Sequence, residues 1–149
     1  MFRSDTSESG CGPFRQTAVI AGVTAIGTGI FAGLAIACHW LDSDLAPMLR
    51  YVLTNFGAIV LSFCGGVHWG VAIQRAAAPP FLTVLPPVVG WGAAVMGGHY
   101  GLWGLTFAFA AFFLFECVAM CTRTIPPWYL NIRLYATVVA IISLIAATR

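Results

Sequence analysis

Charge is scarce in this chain, and one kind is missing altogether. Its 149 residues include seven basic side chains, all of them arginine, and five acidic ones, so that only 8% are charged. A soluble domain carries about 25%, which excludes that class. The arginines are scattered and the net charge is +2. No basic patch or stripe forms, so nucleic acid is not an expected partner. Also lacking are C-x-x-C and H-E-x-x-H spacings, internal repeats, carboxylate pairs, nucleophile–base pairs and any phosphate-cradling loop. The five cysteines are odd in number and lie mostly in apolar segments, where a free thiol behaves as a small hydrophobe rather than half of a secreted disulfide framework. Neither an enzyme nor a bound cofactor is expected from this inventory.

What remains is hydrocarbon. Hydrophobic residues make up 60% of the chain and the mean hydropathy is +0.90. A bilayer-spanning helix needs roughly 20 apolar residues, and five such stretches can be marked: about 17–40, 50–74, 81–97, 100–121 and 128–147. A polar tail, 1–16, precedes a single transmembrane domain, 17–149. The tail holds Asp5 and Glu8 and is a weak presequence, since transit peptides are poor in acid. The short third stretch contains Pro86-Pro87, which predicts a kink or unwinding because two backbone donors are lost. Short loops make successive spans antiparallel. Arg3, Arg15, Arg75, Arg123 and Arg133 fall towards the N-terminal side, Arg50 and Arg149 towards the other. The positive-inside rule then puts the N-terminus inside and the C-terminus outside. The expected architecture is an all-α integral membrane protein: a compact five-helix bundle.

Two runs of small residues predict helix seams. Ala58, Ser62, Gly66 and Gly70 recur every fourth residue in the second span, and Ala21, Ala25, Gly29, Gly33 and Ala37 in the first. Such stripes let helix backbones approach closely in lipid, so spans one and two are expected to pack on each other through them.

Ionisable side chains inside the bilayer are costly, face the bundle interior and usually pair. His68 and Glu116 each lie seven residues from a span-ending arginine, about 10 Å deep, and Arg133 enters the fifth span by about 7–9 Å. Three helices thus deliver an acid, a base and a histidine to one layer. Glu116 is expected to pair with Arg133, with His68 and Asn131 close by. Two readings are open: a structural ion pair, or a relay or headgroup pocket. The alternative for Glu116 is to snorkel towards Arg123. Cys64 and His68 share a helix face, as do Cys117 and Cys121, but the pairs lie at different depths and no metal site is expected.

Two motifs carry a family resemblance. "GAIVLSFCGGVHWG" matches G-A-x-x-L-S-F-x-G-G-x-H-W-G through Gly57, Ala58, Leu61, Ser62, Phe63, Gly65, Gly66, His68, Trp69 and Gly70. "PPWYLNIRLYAT" is similar to P-x-W-Y-x-x-x-R-L-x-x-T through Pro126, Trp128, Tyr129, Arg133, Leu134 and Thr137. Together they resemble the transmembrane protein 69 family, a domain of unknown function, with Cys64 in place of the usual aliphatic residue. The resemblance implies a proteobacterial or mitochondrial inner membrane and supplies no reaction. The expected function is a structural, accessory or assembly subunit beside a respiratory-type complex, with membrane lipids and other integral subunits as partners. The rival is a small transporter, proton path or lipid/quinone-binding protein using the polar layer.

Overall fold

A computed structural model describes residues 13–40, 44–74, 81–121 and 127–149. They form five α-helices: α1 (Pro13–Trp40), α2 (Ala46–Gln74), α3 (Leu85–Met96), α4 (Gly98–Cys121) and α5 (Pro127–Ala147), with one 3-10 turn at Phe81–Thr83. Among the described residues there is no strand.

Proline sets where four of these helices begin. Pro13, Pro47, Pro86, Pro87 and Pro127 all occupy the first three positions of a helix. The missing N–H costs nothing there, because the first turn's donors have no intrahelical acceptor. Pro86-Pro87 therefore starts α3 instead of kinking it, and the expected break becomes a boundary. The turn from α3 into α4 uses the other permissive residue. Gly97 and Gly98 have φ of 58° and 51°, a left-handed conformation that a Cβ disfavours, and Gly97 N–H closes α3 on the Ala93 carbonyl at 3.0 Å.

Four helices, α1, α2, α4 and α5, are long and apolar enough to cross a membrane. The fifth is not. α3 has 12 residues, about 18 Å at 1.5 Å per residue, so the five spans expected from hydropathy become four long helices and one short one. The long helices close a ring, α1–α2–α4–α5–α1, and α3 packs in the α2–α4 crevice. Three close approaches fix its register against α2. Gly65 meets Thr83 and Pro86, Gly90 meets Ala58, and Thr54 lies with Ala93 at Gly101. α3 thus runs antiparallel to α2 and starts about 13 Å short of its last residue.

The small-residue seams lie elsewhere than the four-residue stripes. A Cβ at Gly29, Gly33, Gly66 or Gly70 would meet nothing within 4 Å, whereas at Gly57, Gly65, Gly90 and Gly101 it would come within 2.8, 2.7, 3.0 and 2.5 Å of a neighbour. Ala58 is buried against Gly90 of α3, and half-buried Ser62 turns its hydroxyl back to the Ala58 carbonyl. Helix geometry explains the difference. Each step of four residues overshoots a turn by about 40°, so a four-spaced stripe winds off the buried face. The buried face of α1 follows the true period through Thr28, Phe31 and Ala35. α1 touches α2, but its main neighbour is α5, and only 17% of its most apolar stretch is buried, against 39% for α2. The centre of the bundle is filled by Phe31, Leu53, Leu61, Leu102, Leu105 and Phe109, with Phe31 meeting Phe56 and Phe109 edge-on at 5.0 and 5.9 Å.

Gly65→Ala and Gly101→Ala, which drive a methyl against backbone carbonyls, are expected to destabilise the protein by about 1–3 kcal/mol. Gly66→Ala should change stability by less than about 0.5 kcal/mol. Thermal unfolding in detergent reads both.

Candidate functional site

Three apolar faces each carry an ionisable residue towards one end. On α2 the buried positions include Gly57, Leu61, Cys64 and Gly65, then His68; on α4 they include Leu102, Leu105, Phe109 and Phe112, then Glu116. On α5, Arg133 comes first, followed by Thr137, Ala140, Leu144 and Ala147. Steps of three and four keep each series on one side of its helix. Because the helices pack along these faces, the polar members are carried to the same end of the bundle.

Arg133 Nε donates to both Glu116 oxygens, Oε1 and Oε2, at 3.0 Å each. His68 Nε2 lies 3.4 Å from Oε1. Glu116 is wholly buried, while His68 and Arg133 retain 6% and 9% of their surface. Arg133 neutralises a carboxylate that would be very costly alone in hydrocarbon. Phe112 and Phe115, on the same helix as Glu116, pack against the His68 ring, with centroids at 5.5 and 5.3 Å. Those two rings also wall an apolar cavity of about 160 Å³ between α2, α3 and α4, lined by Leu61, Leu85, Pro86 and Val89.

Of the residues marked in the sequence, His68, Glu116 and Arg133 come together; Asn131 does not. It is exposed, since a separation of two residues turns it about 200° away from Arg133. Arg123 and Pro126 lie outside the described residues, and Glu116 is committed to Arg133. Gly65 is buried beneath Thr83 and Pro86, while Trp69 and Trp128 are exposed at 41% and 40%. Two residues join the cluster that were not marked for it. The Cys64 thiol lies beside the Arg133 guanidinium, and Tyr129 lies within electrostatic reach of Arg133, Glu116 and Cys64. The spacing held the signal: Tyr129 is one turn before Arg133, and Cys64 one turn before His68. Among the described residues, no group of three or more His, Cys, Asp or Glu side chains converges as metal ligands do.

These observations define a polytopic, all-α membrane protein whose α2–α4–α5 junction is closed by a buried arginine–glutamate–histidine cluster. A family model for a protein of unknown function, DUF3429, matches residues 10–148, and the chain belongs to that family. No curated protein and no solved structure matches it.

Removing one partner of a buried ion pair strands the other. Arg133→Ala and Glu116→Ala should each cost about 3–5 kcal/mol, read as lost folded protein in detergent. The double replacement Glu116→Gln/Arg133→Gln should cost less than either single alanine change.

Proposed function

We propose that the protein is a non-catalytic accessory or assembly subunit of an energy-transducing inner membrane, mitochondrial or bacterial, with the end bearing His68, Glu116 and Arg133 on the cytoplasmic or matrix side. The observation that carries this reading is the closure of the ionic cluster upon itself. Glu116 has no exposed surface and gives both oxygens to Arg133. Such an arrangement fixes three helices, whereas a carrier's charged site opens to its cargo.

Three of the buried hydroxyls point the same way. Thr28 bonds the Thr24 and Ala25 carbonyls, Thr54 that of Arg50 and Thr106 that of Leu102, all on their own helices. A proton or ion path across the bundle needs polar groups that face one another, so these pairings weigh against the transporter reading. The outer surface suits helix partners. Ile26, Ile59, Phe63, Phe107 and Leu114 are each about two-thirds exposed, and Gly29 and Gly33 of α1 and Gly66 and Gly70 of α2 have open space at their Cβ positions. The resemblance of the two motifs to the transmembrane protein 69 family supports the inner-membrane placement.

Native electrophoresis of source membranes in mild detergent, with mass spectrometry following this chain, tests the role. Co-migration with a respiratory-type complex is the expected result, and Gly66→Leu should weaken it while leaving the isolated protein folded. Migration solely as a small species would sink the proposal.

A further inference from the structure

At the far end of the bundle from Glu116, α1 and α5 stop side by side and leave a cavity of about 370 Å³ between them. That volume falls within the range of small-molecule sites, about 300–1,000 Å³. The walls are His39, from the last turn of α1, and Ile142, Ile145, Ala146 and Arg149 of α5. The α5 positions follow the i, i+3, i+4, i+7 spacing of one helix face, with the arginine at its tip. Arg133 enters the membrane by about 7–9 Å, and Arg149 stands about 24 Å further along the α5 axis. The sum is close to a hydrocarbon thickness of about 30 Å. Arg149 and His39 therefore lie at headgroup level, while Ile142, about 10 Å inward, lies among acyl chains.

Charge narrows what fills this cavity. No acid lines it, and among the described residues the side chains of His39 and Arg149 have neither an ion pair nor a hydrogen bond. The last turn of α5 is closed without the guanidinium. The N–H groups of Thr148 and Arg149 donate to the Ile145 and Ala146 carbonyls at 3.1 and 3.3 Å, and Thr148 Oγ1 donates to Ile145 at 2.7 Å. Arg50 of α2 lies within electrostatic reach of Cys38, next to His39, and adds positive charge to this end. Asp44, exposed in the turn before α2, is the one described acid there. The carbonyl ends of α1 and α5 both point this way, which disfavours a bare anion. A phospholipid overcomes that, because its phosphate suits the guanidinium fork and an imidazole N–H while a chain covers the exposed apolar face below. We propose that His39 and Arg149 hold the phosphate of a membrane phospholipid in this cavity, with one acyl chain lying along Ile142, Ile145 and Ala146. The site is remote from the Glu116 cluster, which stays closed. The inference does not depend on the accessory role, since lipid binding and co-migration with a complex are read separately.

The test uses the full chain, purified in mild detergent, washed free of lipid and titrated by native mass spectrometry. The probes are dioleoylphosphatidylglycerol, dioleoylglycerol (the same chains without the phosphate) and inorganic phosphate. One equivalent of the phospholipid is expected to bind. Dioleoylglycerol should bind about tenfold more weakly, as loss of a charge-assisted hydrogen bond predicts, and inorganic phosphate not measurably. The double replacement His39→Ala/Arg149→Ala, at two exposed positions, should weaken the phospholipid about tenfold and leave dioleoylglycerol unchanged. Ala146→Trp, which fills the cavity from an exposed position, should weaken both lipids. Equal binding of the two lipids, or no binding of phospholipid above the detergent background, overturns the proposal. So does a double variant that binds phospholipid as tightly as wild type. Inorganic phosphate binding as tightly as the lipid is also contrary, since it would reduce the cavity to a plain anion site.

Discussion

A carboxylate in hydrocarbon has few ways to exist, and the protein is arranged around one of them. Glu116 lies at the end of the buried face of α4, and the arginine that neutralises it comes from α5. The pair joins α4 to α5, and His68 brings α2 to the same carboxylate. The apolar part of the bundle offers no comparable directionality, because lipid tails are as hydrophobic as the leucines and phenylalanines they surround. Van der Waals packing accounts for how closely the helices approach. The ionic cluster specifies which faces of α2, α4 and α5 meet.

Packing and charge divide along the length of α2. Towards one end, Gly57, Ala58 and Gly65 admit a leucine of α4, the backbone of α3 and a proline ring respectively. Beyond Gly65 the short helix no longer covers α2, and His68 takes over with its contacts to Glu116, Phe112 and Phe115. One face of one helix therefore changes from a steric seam to a polar latch within a single turn.

Much of this was legible in the sequence. Helix positions follow from apolar length, and the meeting of Glu116, Arg133 and His68 follows from the expense of burying charge in hydrocarbon. The small-residue seams were misread because a stripe of every fourth residue is easy to see along a sequence and yet drifts around a helix. Gly57 and Gly65 lie on the face that stays put, in the same run of sequence as Gly66 and Gly70, and only a neighbouring helix distinguishes them. Asn131 was grouped with Arg133 by nearness along the chain, although Tyr129 and Thr137, four residues to either side, are the positions that share its face. The role of Pro86-Pro87 depended on where the helix began. Hydropathy is blind to that, because the apolar run extends on both sides of the pair.

The shortness of α3 also matters for the bilayer. A hydrocarbon core is about 30 Å thick, and the apolar stretch Phe81–Met96 that ends in α3 is about 24 Å long, while its neighbours α2 and α4 are long enough to cross. Lipids along this one flank face hydrophobic mismatch that those on the opposite side, beside α1 and α5, do not. They can thin, tilt the protein, or give way to another protein's surface, each at a fraction of a kcal/mol per Å. The molecule is a wedge in hydrophobic thickness rather than a cylinder, and a wedge favours particular places in a membrane: thinner regions, curved ones, or the edge of a larger assembly whose surface fills the gap.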